Sequence, residues 1–315
     1  MDKPRYRVYS EFLKAKYGCK VYKLPVNLPV TCPNRDGEIG YGGCIFCGES
    51  GAGFETLSEQ MPVEKQLKKN MEYIGKKYGA KKYIAYFQNF TNTYLEPERL
   101  KGYLYEACIP GIVEVYISTR PDCIGERHLG MVSDFSKQAG VEVTFELGLQ
   151  TVNYHSLTKI NRGHTLAEFI DAVMRVRGHG FGVCAHLILD LPWDDMLDVV
   201  ENAKILSALE VKQVKIHSLY IVKGTELARM YVENNIRLVS MEEYVQRVIG
   251  FLEHLGPDIV IQRLIGRAPE EDTLQANWNT SWWKIKECIE QQMAAKDTWQ
   301  GKKFDYLGGK AVRKF

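Results

Sequence analysis

The sequence predicts an α/β fold: a partial (β/α)6-type TIM barrel with a small C-terminal extension. Short β-rich runs alternate with longer stretches of helical period, the pattern of repeated strand–helix units around a parallel sheet. The runs are apolar on both faces, as strands covered by helices must be. With 315 residues, 45% of them apolar, the chain has the material for one large core of this kind.

In chain order, strands are expected at 19–30, 83–90, 113–119, 141–149, 183–191 and 214–222, with a less regular seventh at 259–265. Between them 63–78, 97–108, 126–139, 166–179, 194–209 and 241–255 have helical period, and the fixed φ of Pro97 suits a first helical turn. No internal repeat or low-complexity linker divides the chain, so one barrel domain is expected over 1–266 and an extension over 267–315. The extension holds Trp278, Trp282, Trp283 and Trp299, followed by a basic tail with Lys302, Lys303, Lys310, Arg313 and Lys314. Aromatics interleaved with cations can stack on and neutralise nucleic acid. Equally, a helix could pack Trp282 and Ile285 onto the barrel and end in a frayed tail.

Composition removes several classes. With 25% charged residues and ample apolar content the chain is neither disordered nor fibrous. No run approaches the ~18 consecutive apolar residues of a spanning helix, and the first residues lack the apolar core of a signal peptide, so no membrane association and a cytoplasmic location are expected. Forty-one basic against 39 acidic residues leave a net charge of +2, too balanced for wholesale coating of nucleic acid. A local basic face is possible where Lys65, Lys68, Lys69, Lys76, Lys77, Lys81 and Lys82 share one segment. On a helix such a face is also ordinary solvated surface. Eight cysteines in such a chain point to reduced thiols with metal or redox work rather than to a disulfide framework.

Three of those cysteines are grouped. Cys32, Cys44 and Cys47 lie in a Gly-rich stretch after the first strand, where backbone can wrap closely around an inorganic centre. Thiolates suit zinc or iron–sulfur. Structural zinc wants four protein ligands, and only three are nearby, whereas a cubic iron–sulfur cluster on three thiolates leaves one iron open to a chelating small molecule. A zinc knuckle completed by a remote His or Cys is the competing reading.

The triplet, with Phe46 just before its last cysteine, resembles the signature of radical S-adenosylmethionine (SAM) enzymes. Its eleven-residue first gap is similar to that of the group containing YtqA (MnmL) and YhcC, relatives of the radical SAM domain of the Elongator catalytic subunit. Further matching segments follow in order: QNFTNTY at 88–94, STRPD at 118–122, ELGLQT at 146–151, NRGHT at 161–165, HLILDLP at 186–192, and KIHSLY at 215–220 leading to KGT at 223–225. The resemblance implies that Cys32, Cys44 and Cys47 bind a [4Fe-4S] cluster whose open iron takes the amino and carboxylate groups of S-adenosyl-L-methionine. One electron then breaks the sulfonium bond and yields a 5'-deoxyadenosyl radical. It implies SAM contacts from Asn89, Thr91 and Asn92 after the second strand, Ser118 and Thr119 after the third, Gln150 after the fourth, Arg162 on the methionine carboxylate, and Asp190 near the nucleoside. Each also has an ordinary reading: an Asn-rich turn, a surface ion pair for Arg162, an N-cap or loop anchor for Asp190. Glu146 and His186 lie inside strands and point into the barrel if alternation holds, as substrate contacts, proton relays or satisfied core residues. They are the catalytic candidates.

MnmL-type proteins are linked to converting a carboxymethylaminomethyl group on the wobble uridine of tRNA into an aminomethyl group, so the resemblance implies a tRNA partner and an electron donor such as flavodoxin or ferredoxin. Two other functions compete: a radical enzyme acting on a small molecule or peptide, and a non-catalytic iron–sulfur or zinc sensor or scaffold. The remaining cysteines show no second paired spacing, which argues against an auxiliary cluster. No acetyltransferase domain follows the barrel, so acetyl transfer is not implied.

Overall fold

Seven parallel strands form one curled sheet in a computed structural model that describes residues 4–49, 56–267 and 272–313. The strands are β1 (Val21–Val26), β2 (Lys82–Phe87), β3 (Ile112–Thr119), β4 (Glu142–Gln150), β5 (Gly182–Ile188), β6 (Gln213–His217), β7 (Ile221–Val222), β8 (Val260–Arg263) and β9 (Thr273–Gln275). The helices are α1 (Tyr9–Tyr17), α2 (Val63–Tyr78), α3 (Pro97–Glu106), α4 (Glu126–Ala139), α5 (Tyr154–Lys159), α6 (Leu166–Gly178), α7 (Met196–Ala208), α8 (Glu226–Val232), α9 (Met241–His254) and α10 (Trp282–Ala295). Sheet order is β1-β2-β3-β4-β5-β6-β8, while β7 and β9 pair antiparallel on their own. This is the expected half-barrel, with β1 and β8 at its edges and Val8 bridging to Ile261 on the outer side of β8. Lys314 lies outside the described residues.

The outer faces of the strands and the inner faces of the helices make one apolar shell, containing Phe87, Val115, Ile117, Phe145, Leu147, Ala185 and Leu187, all fully buried. The extension joins it: Ile285, Ile289 and Met293 of α10 are buried in the same cluster. Trp282 and Trp283 stay exposed, so of the two side chains expected to pack only Ile285 does so.

Three departures from the sequence expectation shape the site. α1 closes the N-terminal end of the barrel, seating Leu13 against Ile84, Tyr86 and Tyr116. The run expected as one strand over 214–222 is two, β6 and β7, in different sheets, because the Leu219 amide leaves the ladder to donate to both Asp190 carboxylate oxygens at 2.9 and 3.1 Å. Expected at 194, α7 instead begins at Met196, because Asp195 accepts from the amides of Leu197 and Asp198 and so caps it.

Candidate active site at the mouth of the barrel

The segment from Cys32 to Cys47 has no helix and no ladder strand; it leaves the end of β1 and lies over the C-terminal ends of the strands, where barrel folds gather their sites. Its buried backbone is satisfied by turns and neighbours. Ile39 N donates to Pro33 O at 2.9 Å, Gly43 N to Asn34 O at 2.8 Å and Cys47 N to Cys44 O at 2.9 Å. Ile45 N reaches Ile160 O at 3.1 Å, and Leu227 N of α8 reaches Ile45 O at 2.9 Å. Ile45 and Phe46 pack on a second small core of Leu157, Ile160, Leu191, Leu219 and Leu227, which explains the aromatic before the last cysteine. Gly43 has φ 82°, and a Cβ there would sit 2.9 Å from Arg35 Cγ, so only glycine fits.

Cys44 is buried, and Cys32 and Cys47 are half-buried. Burial, then the neighbouring Cys44, pushes the Cys47 thiol up to about 11, and Cys32 adds to the same effect, so the three sulfurs lie near enough to act on one another's charge. Arginines surround them. Arg35 Nη1 lies 3.6 Å from Cys47 Sγ, Arg162 Nη1 lies 3.5 Å from Cys44 Sγ, and the charge of buried Arg120 acts on Cys32 and Cys44. Asn34 Nδ2 points at Cys44 Sγ from 3.9 Å while donating to Asn161 O at 2.6 Å. A cavity of about 620 Å³ opens against Cys44 and Cys47, lined also by Arg35, Asn161, Lys223 and Thr225. Neither Asn34, Arg35 nor Arg120 stood out in the sequence; the available signal was cation and amide beside the motif residues themselves.

Among the segments expected to contact SAM, several side chains are left with unmet hydrogen-bonding capacity. Asn89 and Asn92 are buried, their Nδ2 groups bonded to Asn27 Oδ1 and to the carbonyls of Phe87, Asn89 and Ser118, and the Oδ1 of each has no partner. Arg120 donates through Nε and Nη2 to Asp122 at 2.8 and 2.6 Å, and its Nη1 has no partner. Burial opposes the Asp122 charge, but the Arg120 pair holds this carboxyl below its usual range. Two orphan acceptors and one orphan donor match the ammonium and carboxylate of an amino acid, and three thiols ringed by guanidiniums match a cluster that carries thiolate charge. The residues present therefore fit both groups.

Other expected contacts are placed differently. Thr91 is buried with its amide 3.4 Å from Thr31 O, beside the cysteine segment. The Thr119 hydroxyl bonds Thr93 Oγ1 at 2.5 Å, and the Ser118 carbonyl accepts from Asn92. Gln150 ends β4 at φ 74°, after a register shift, strain of the kind that gathers at functional sites. Arg162 is fully engaged, donating to Gly148 O at 2.7 Å and to His164 Nε2 at 2.8 Å besides facing Cys44. A Cβ on Gly148 would lie 2.7 Å from Arg162 Nη2 and 2.9 Å from Gln150 Nε2, so that glycine lets both side chains cross β4. Burial, then Arg162, lowers His164 to about 3, so it stays neutral and accepts from Arg162. Asp190 is the loop anchor of β5 to the segment after β6, and burial pushes its carboxyl up to about 7.

Below the mouth, the lumen is polar. Glu146 is fully buried and accepts from His186 Nε2 at 2.7 Å, Lys215 Nζ at 3.2 Å, Gln262 Nε2 at 3.0 Å and Lys23 Nζ. Burial opposes its charge, but Lys215, Lys23 and His186 hold it well below the usual carboxylate range. Alternation thus placed Glu146 and His186 correctly inside the barrel, and the structure brings them into contact.

Two family models match the chain: Radical SAM superfamily over residues 27–206 and Radical_SAM C-terminal domain over 211–295. The chain belongs to the radical SAM superfamily. It is 32% identical to the uncharacterized protein YtqA of Bacillus subtilis over 304 residues, 96% of this chain and 94% of that one. It is 30% identical to a tRNA uridine(34) acetyltransferase of Methanocaldococcus jannaschii over 148 residues, 46% of this chain but 26% of that protein. The solved structure of Methanocaldococcus infernus Elp3 with an N-terminal deletion superposes with TM-score 0.69 and 17% identity, over 89% of this chain and 64% of that one, a likeness of fold. Radical SAM enzymes bind a [4Fe-4S] cluster and S-adenosylmethionine and require an electron donor. Among the described residues no helix is long and apolar enough to cross a membrane.

Proposed function

We propose that Cys32, Cys44 and Cys47 hold a [4Fe-4S] cluster at which S-adenosylmethionine is reductively cleaved, and that the substrate is the wobble uridine side chain of tRNA, converted from carboxymethylaminomethyl to aminomethyl. The observation that carries the cofactor reading is the set of three thiols that act on one another's charge, with Arg35 beside Cys47, Arg162 beside Cys44 and the charge of Arg120 acting on Cys32 and Cys44. When bound, the cluster and SAM would supply the radical that takes one hydrogen atom from the carboxymethyl carbon; loss of a second electron to the electron carrier and addition of water would then release those two carbons as glyoxylate and leave the aminomethyl group. The chain's own residues position the reactants: the orphan Oδ1 atoms of Asn89 and Asn92 receive the methionine ammonium, and Arg120 Nη1 donates to its carboxylate. Arg162, the other guanidinium expected on that carboxylate, lies beside Cys44 Sγ and donates to Gly148 O. Ser118, Thr119, Gln150 and Asp190 frame the same mouth, and Glu146 and His186 lie beneath it.

Support for tRNA comes from the relative named for uridine 34 of tRNA and from exposed aromatics beside cations in the extension, with Lys284 5.5 Å from the Trp283 ring and Lys302 4.8 Å from that of Trp299. The α2 lysines contribute less than their number suggests, since Lys68 pairs with Glu64 and Lys76 with Glu72. The proposed site of action is the cytoplasm. The test is anaerobic reconstitution with iron and sulfide, then dithionite and SAM, with 5'-deoxyadenosine quantified for the wild type and Cys44→Ala. Formation in the wild type and none in the variant is expected, followed by salt-sensitive binding and modification of undermodified tRNA. A fully loaded cluster that yields no 5'-deoxyadenosine with tRNA present would sink the radical reading in favour of a sensor or scaffold.

A further inference from the structure

The lumen carries more positive than negative charge. Lys23, Lys215 and Arg263 converge there with His186 and His217, whose imidazoles burial keeps neutral, and Glu146 is the carboxylate that meets Lys23, Lys215 and His186. Glu146 already accepts from Lys23, Lys215, His186 and Gln262, so its capacity is spent on the lower half of the cluster. In the upper half, Arg263 Nη2 lies 2.7 Å from His217 Nδ1 and its Nε 3.3 Å from Ile216 O; among the described residues no carboxylate pairs with it. Asp190, the other buried carboxyl nearby, is turned to the Leu219 amide.

A second, independent feature lies beside Arg263. The Tyr220 hydroxyl is buried beside the Ser218 hydroxyl and makes no hydrogen bond of good geometry. A Cβ built on Gly266 would fall 1.9 Å from Tyr220 Oη and 3.2 Å from Arg263 Nη2, so the phenol hydroxyl occupies the place a side chain would take there, with the guanidinium beside it. Arg263, His217 and Tyr220 are all half-buried. Chemistry also settles the sign of the ligand. Glu146, Cys184 and His186 place their ligand atoms within 4.8 Å of one another, the spacing of a metal site, but two ammonium groups rest on that carboxylate and repel a cation.

We propose that the upper lumen is an anion site in which Arg263 and Tyr220, backed by Lys215 and His217, bind the carboxylate of the substrate side chain. This rests on the proposed substrate, whose carboxymethyl group supplies a single negative charge. A guanidinium and a phenol hydroxyl offer a carboxylate two convergent donors. Held by its carboxylate end at β8, the side chain would extend toward the mouth and the cysteine segment.

The test uses the reconstituted holoenzyme and separates this site from the substrate reading. Substrate-free 5'-deoxyadenosine formation is expected to stay within twofold of wild type in Arg263→Gln, Arg263→Lys and Tyr220→Phe, showing the cofactor machinery intact. With tRNA bearing carboxymethylaminomethyluridine, Arg263→Gln is expected to raise KM at least tenfold, Arg263→Lys to recover part of it, and Tyr220→Phe, which removes one hydroxyl, to raise it severalfold. Calorimetric titration with N-methylglycine, which reproduces the end of that side chain, is expected to show binding by the wild type, loss in Arg263→Gln, and none with dimethylamine in any form. Equal KM values, or N-methylglycine binding that is absent in the wild type or unchanged in Arg263→Gln, overturn the anion site. N-methylglycine binding that depends on Arg263, with no turnover of the tRNA, supports the anion site and overturns the wobble-uridine substrate alone.

Discussion

Phe145 and Glu146 are neighbours on β4 and belong to different halves of the molecule. Phe145 enters the shell between sheet and helices, beside Phe181, with ring centroids 5.5 Å apart. Glu146 enters the lumen among Lys23, His186, Lys215 and Gln262. Most small barrels fill the inside with branched aliphatics; here stability is concentrated in the shell, and the lumen is left polar for chemistry. The cost is a set of charges buried in contact, which holds only while each partner is present.

Removing a large aromatic from the shell should give the largest effect. Phe145→Ala is expected to lose about 3–5 kcal/mol in denaturant unfolding, through lost burial and the cavity left behind; a loss under about 1 kcal/mol would mean that the shell does not carry the fold. Glu146→Gln sharpens the contrast by stranding two ammonium groups, with an expected loss on the order of 3 kcal/mol. Adding Lys215→Met should return much of that stability, a coupling that a double-mutant cycle measures; strictly additive losses would deny that the pair is linked.

Asp190 offers a smaller effect that depends on pH. Its carboxyl is held at about 7 against the ordinary 3.8. The contribution to stability is therefore fully present below about 3.8, where the group is protonated in both states, and is lost as pH rises through about 7. Asp190→Asn keeps an acceptor for the Leu219 amide and stays neutral, so between pH 4 and 8 the wild type should lose on the order of 1–3 kcal/mol relative to the variant. Parallel stability curves would show that the carboxyl does not titrate in the fold. Smallest of all, Trp283→Ala, at a side chain 52% exposed, should shift unfolding by no more than about 0.5 kcal/mol. Any weakening of tRNA binding in that variant would then report contact rather than folding.

Much of the shell was legible, because a helix with a sustained apolar stripe declares itself: α2 and α4 run over the residues that periodicity marks, each closed by a left-handed glycine, Gly79 and Gly140. Features set by distant contacts were not. The run 214–222 is apolar enough for one strand, and only the carboxylate of Asp190, 29 residues from Leu219, breaks it. α1 buries Leu13 alone among its residues and leaves little stripe to see. Within the site, the cysteine triplet and the inward pair Glu146 and His186 were visible from spacing and alternation. Lys23 and Arg263 were not, since a cation in a strand is ordinarily an outward one, and only closure of the sheet turns both toward Glu146 and His217.

The cysteine segment is tied down by its own backbone, to Ile160 on one side and Leu227 on the other, and by Phe46 in the small core over the strands. Its backbone is thus held by the scaffold on both sides. A shift of α5 or of α8 would therefore be carried straight to the three thiols, which makes these two short helices part of the site's geometry without being part of its lining.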